Sequence, residues 1–72
     1  MPQQRKTHII PRAPVARILL RAGAERVSKD AVSTFSEVLQ ELGEQIAQKA
    51  SHIARHSGRK TVHEEDIKLA AK

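Results

Sequence analysis

The sequence has no cysteine, tryptophan or tyrosine, and a single phenylalanine, Phe35, is its whole aromatic content. Without thiols, neither disulfides nor a thiolate metal centre can supplement a core. With one Phe and no Trp or Tyr there is no aromatic platform on which the bases of a single strand could stack. Proline and glycine number three each, so breaks in secondary structure are few and each is informative. No apolar run is long enough to span a bilayer, and no hydrophobic stretch follows the N-terminal bases as in a signal peptide. A soluble, intracellular chain is therefore expected, cytoplasmic and without a membrane partner. No nucleophile, base and orienter can be assembled, which argues against an enzyme, a cofactor or a small-molecule substrate.

What is present is one long amphipathic stretch, residues 29–57, with no proline in it. At helical spacing Ala31, Val32, Phe35, Val38, Leu39, Leu42, Gly43, Ile46, Ala47, Ala50, Ile53 and Ala54 share one side, while Glu37, Gln40, Glu41, Glu44, Gln48 and His52 share the other. Such a helix is about 40 Å long. Its apolar arc is wider than a coiled-coil seam, so more than one neighbour must cover it. A chain of 72 residues has only short flanking segments to offer. An obligate dimer is the inferred solution, with folding and association a single event.

The charge balance points to the partner. Thirteen Lys and Arg against eight Asp and Glu give +5, with a pI near 10.3. Within residues 1–29, Arg5, Lys6, Arg12, Arg17, Arg21, Arg26 and Lys29 face Glu25 alone, whereas Glu37, Glu41 and Glu44 sit on the outer face of the long helix. This segregation favours a polyanion over the alternative that the bases serve only solubility.

In chain order, residues 1–8 are polar and basic with nothing to pack and read as a short tail ahead of a domain at residues 9–72. Arg5 and Lys6 either add phosphate contacts or have no role. Pro14 suits the first turn of a helix, and Val15, Ile18, Leu19 and Ala22 follow at helical spacing until Gly23 can cap it. A polyproline ligand is the weaker reading of the same prolines. Arg26 and Val27 are extended enough for a brief strand, and Ser28 is a good N-cap for the long helix. Gly43 lies near the midpoint of that helix, where it either admits a crossing partner helix or is merely tolerated, at about 1 kcal/mol relative to alanine. Gly58 ends the helix, a second extended connection follows, and Glu64, Glu65 and Asp66 open a short third helix. His52 and His56 stand one helical turn apart, but no third ligand is placed to complete a metal site, so none is assigned.

Three segments then carry a family resemblance: RAPVARIL at residues 12–19, AGAERVS at 22–28 and ARHSGRKTVHEEDI at 54–67. Together they resemble the histone fold of archaeal histones, over residues 10–72. The resemblance implies an all-α fold of short helix, strap loop, long central helix, strap loop and short helix. Two such chains would intertwine in a handshake dimer with each first strap beside the partner's second.

The resemblance further implies an architectural chromatin protein that binds double-stranded DNA with little sequence preference, bends and wraps it, and lies on the chromosome (nucleoid). Arg17 would enter the minor groove, while Arg26 and Ser28 of one chain would meet Lys60 and Thr61 of the other at each paired strap. Arg12 and the free N–H groups at the start of the first helix would form a third anchor. Arg59 and Asp66 would pair within the chain as a structural tie. Ile53, His56, Asp66 and Leu69 would form the contact between dimers, with His56 meeting Asp66 of a neighbour and permitting higher oligomers on DNA. Gly23, Glu37 and Lys68 fall at stacking positions; the signs of Glu37 and Lys68 look exchanged relative to some relatives, and Glu44 and Glu65 would repel. A homodimer is expected, with a heterodimer with a paralogue as the alternative. A histone-fold interaction module of a transcription complex would share the core without needing Arg17, Arg26 and Lys60 together. A ribbon-helix-helix repressor would open with an alternating strand, and a cationic membrane-active helix would carry its bases on the long helix, whose polar side is instead rich in Glu and Gln.

Overall fold

A computed structural model of the chain describes residues 9–72. Three helices follow in order: α1 Arg12–Arg21, α2 Lys29–His56 and α3 Glu64–Ala70. No strand occurs among the described residues. The brief strand expected at Arg26 and Val27 is therefore absent; an extended segment becomes a strand only when a second one satisfies its N–H and C=O groups, and the described residues of this chain supply none.

Both of the longer helices end in the same way. Gly23 (φ 118°) and Gly58 (φ 75°) adopt the left-handed conformation that side chains rarely tolerate. After α1, Gly23 N–H donates to Leu20 C=O and Ala24 N–H to Leu19 C=O; after α2, Gly58 N–H donates to Arg55 C=O and Arg59 N–H to Ala54 C=O. Each pair of bonds is a Schellman closure, which satisfies carbonyls at the helix end and turns the chain sharply. At the other end of α2, the Ser28 hydroxyl accepts from Ala31 N–H at 3.0 Å, a side-chain N-cap.

The chain divides into two units, one ending at Gln40 and one beginning at Glu41. In the first, Val15 and Val32 are buried, and so is Ser36, whose hydroxyl donates to the Ile10 carbonyl at 3.3 Å. Ile9 N–H donates to Gln40 Oε1 at 3.1 Å, so the segment ahead of α1 is tied to α2 twice. In the second unit the buried residues are Ala50, Ala54, Ala70 and Asp66. Small side chains make a thin core. Much of the apolar arc stays in water in the single chain: Val38 and Leu42 are 51% and 50% exposed, and Leu69 is 57% exposed. Ala31 and Ala47, expected on the same arc, are exposed as well.

Candidate nucleic-acid interface

The first helix opens without a side-chain cap. Its N-cap, Pro11, is extended (φ −63°, ψ 152°) and makes no side-chain hydrogen bond to the first turn. Pro14 contributes no N–H, so the free donors of that turn are those of Arg12 and Ala13. Beside them an open cleft of about 360 Å³ is lined by Arg12, Ala13, Ala16, Val27, Ser28, Lys29 and Val32. Arg12 and Ser28, from the expected DNA-contacting set, are thus brought together, and Lys29 joins them. The sequence signal for Lys29 was present as one more base beside the helix start, but its closeness to Arg12 depends on how α1 folds back along α2.

Arg17 and Arg26 are exposed and do not line that cleft. In the second unit Lys60 and Thr61 are exposed on the connection after α2. None of Arg17, Arg26 and Lys60 takes part in an ion pair among the described residues. Arg5 and Lys6 lie outside the described residues.

The shape of the second connection is set by Arg59. Its Nη1 donates to Asp66 Oδ2 at 2.9 Å and to the Thr61 carbonyl at 3.0 Å, while Nη2 donates to Asp66 Oδ1 at 3.0 Å. Asp66 Oδ2 also accepts from His63 N–H at 2.8 Å, closing the start of α3. The carboxylate is almost wholly buried, with 3% of its side chain exposed against 32% for Arg59. Hydrogen bonds from Arg59 and from the His63 backbone lower its pKa from 3.8 to about 2. The same bond to Asp66 raises the pKa of Arg59. Arg59 is therefore occupied in holding the loop, and Lys60 and Thr61 are held beside it.

At the far end of the second unit Ile53 is half-buried, and His56 and Leu69 are exposed. Gly23, Gly43 and Glu37 are exposed, and a Cβ added at either glycine would meet nothing within 4 Å in this chain. Lys68 Nζ pairs with Glu64 at 2.8 Å, one turn away on a solvated face, an interaction worth about 0.3–0.5 kcal/mol. Ser36 and His63 escaped sequence reasoning. Ser36 sits on α2 as a polar residue and is buried because the Ile10 carbonyl needs a donor; His63 acts through its backbone N–H. No group of three or more His, Cys, Asp or Glu able to hold a metal ion occurs among the described residues.

Comparison with known proteins gives the family. The family model described as histone-like transcription factor (CBF/NF-Y) and archaeal histone matches residues 8–71. An archaeal histone of Thermococcus zilligii, a subunit of HAN1, is 49% identical over 63 residues, covering 88% of this chain and 94% of that protein. Probable archaeal histone 3 of Methanocaldococcus jannaschii is 49% identical over 61 residues, covering 85% and 91%.

Proposed function

We propose, from the premise that this chain belongs to the family of archaeal histones and CBF/NF-Y histone-like transcription factors, that it is an architectural chromatin protein which dimerises and binds duplex DNA on the chromosome. Its role is structural, and it is no enzyme. Two chains clasp their α2 helices in an antiparallel handshake that crosses near Gly43 and covers Val38 and Leu42. That arrangement sets Arg26 and Ser28 of one chain beside Lys60 and Thr61 of the other, twice per dimer, with the two α1 N-termini between.

The observation that carries this reading is the exposure of Arg17, Arg26 and Lys60, none of them in an ion pair among the described residues. A base tied to a carboxylate has little to offer a phosphate; a free one gains affinity by releasing condensed counterions. Arg12 and Lys29 beside the open first turn of α1 add donors and positive charge where the helix dipole already favours an anion. Phe35, the only Phe, Tyr or Trp, is half-buried, so there is no platform of such rings for stacking single strands. Contacts to the backbone alone carry no base identity, so preference among sequences follows DNA bendability. Further association of dimers through Ile53, His56 and Leu69 would extend the wrap, in the manner by which histones bend DNA around a protein surface. The chain pairs with itself in this reading, and a mixed dimer with a paralogue is the alternative.

The test is equilibrium binding to a mixed-sequence duplex and to a single strand of equal length, across a salt series, with Arg17→Ala and Lys60→Ala alongside. Duplex binding that falls steeply with salt and weakens in both variants is expected. The slope of log affinity against log salt should flatten by about 0.9 for each phosphate no longer neutralised, hence by about two for a variant dimer. A second reading, an interaction module within a transcription complex, draws on the family's other branch. Absence of salt-dependent duplex binding would favour it.

A further inference from the structure

His52 and His56 lie in the last two turns of α2, and their Nε2 atoms are 3.1 Å apart. The rings meet edge to face, with centroids 4.5 Å apart and planes at 80°. Both residues are exposed, and His52 lines an open groove with Glu44, Gln48, Ser51 and Arg55. Nothing in the DNA-binding reading uses His52.

We propose that this pair is a chelate for one borderline-soft divalent transition ion, of which Zn²⁺ is the natural probe. The geometry carries it. With metal–nitrogen bonds of about 2.05 Å, two nitrogens 3.1 Å apart subtend about 98° at the ion, between the octahedral and tetrahedral angles. Residues four apart on a helix face the same way, so the spacing is held by the backbone rather than by loop conformation. Histidine χ2 is a soft torsion, and a small rotation turns both lone pairs toward one point.

The proton inventory is simple. A ring that carries its hydrogen on Nε2 shifts it to Nδ1 through solvent to bind the ion, and two neutral imidazoles then present two lone pairs. No charge is lost or gained by the protein. Among the described residues no third ligand joins the pair, so water fills the remaining positions and the site is open. Lys49 and Arg55 on the same helix oppose the ion and Glu44, in the same groove, favours it, so the imidazole pair supplies its direct ligands. Oxygen-seeking ions such as Mg²⁺ have no ligand set here. The site does not depend on the assembly of dimers. It competes with such assembly, because His56 Nε2 cannot hold an ion and a neighbour's carboxylate at once.

The experiment is isothermal titration of untagged, DNA-free protein with Zn²⁺, Cu²⁺ and Mg²⁺, repeated on His52→Ala, His56→Ala and His63→Gln, with circular dichroism to show that each variant is folded. The expected result is one Zn²⁺ per chain, tighter Cu²⁺, no Mg²⁺, a loss of about tenfold or more in either His52→Ala or His56→Ala, and little change in His63→Gln. Because both histidines are exposed, neither substitution should disturb the fold. Should one not fold, chemical-shift changes on Zn²⁺ addition to the unaltered protein must centre on the two imidazoles. Absence of Zn²⁺ binding, or binding of undiminished affinity in either single variant, overturns the proposal.

Discussion

Arg59 and Asp66 meet as a fork on a fork: the two terminal guanidinium nitrogens reach the two carboxylate oxygens at 2.9 and 3.0 Å across seven residues of sequence. The pair joins the end of one Schellman-closed helix to the first turn of the next, so it fixes the connection that carries Lys60 and Thr61. Planar, bidentate geometry is the reason arginine is required there; lysine would offer a point charge. Arg59→Ala leaves a buried carboxylate short of two donors. Its melting temperature is expected to fall by several degrees, with DNA affinity declining in proportion to folding. A normally folded Arg59→Ala protein that lost DNA affinity alone would make Arg59 a phosphate ligand instead.

The same carboxylate gives an acid limb to stability. Asp66 has a pKa of about 2 when folded, below its ordinary 3.8. A depressed carboxylate pKa stabilises the fold fully above the unfolded value and loses that contribution as pH falls through the folded one. The melting temperature should therefore drop between pH 3.8 and about 2, and Asp66→Asn should be less stable near neutrality with a flatter profile over that window. A profile as steep as the parent's would assign the acid limb to other carboxylates.

Gly43 offers a test of the dimer that the single chain cannot confound. A Cβ there meets nothing within 4 Å in this chain, and alanine is the better helix former by about 1 kcal/mol. In an isolated chain Gly43→Ala should therefore stabilise. If the partner helix crosses at this point, overpacking costs about 1–3 kcal/mol and the dimer should weaken, read as a stronger dependence of melting on concentration. A gain in stability with unchanged association moves the crossing elsewhere.

Assembly beyond the dimer can be probed at His56. Asp66 already accepts three hydrogen bonds, one at Oδ1 and two at Oδ2. A carboxylate has about four acceptor sites, which leaves one for a neighbour's imidazole. His56→Asp removes that donor and sets like charges together. Expected is normal dimer formation with short duplexes and loss of extended nuclease protection on long DNA; unchanged protection would exclude the contact.

The parts of the fold legible in the sequence were those dictated locally. Pro14, Gly23 and Gly58 through their backbones and Ser28 through its hydroxyl each mark a helix end, and α1 and α2 begin and end close to them. What depended on a second segment was less visible. Ser36 looks like a surface residue until the Ile10 carbonyl arrives above it, and Arg26 with Val27 looks like a strand until no partner strand is found. In the candidate interface the bases could be named, but the neighbourhood of Arg12 and Lys29 comes from the fold-back of α1. The His52 and His56 spacing was plain, yet only side-chain rotamers determine whether two imidazoles one turn apart converge.

The exposed Val38 and Leu42 bear on how much working protein a cell obtains from a given level of expression. Chains that must pair to cover such a face follow mass action, so when they are scarce the amount of dimer grows as the square of the amount of chain. Halving gene dosage then cuts the DNA-organising form about fourfold, while at abundance the response becomes nearly linear. If a partner completes this thin core, as proposed above, copy number becomes a lever on how much of the paired form is present.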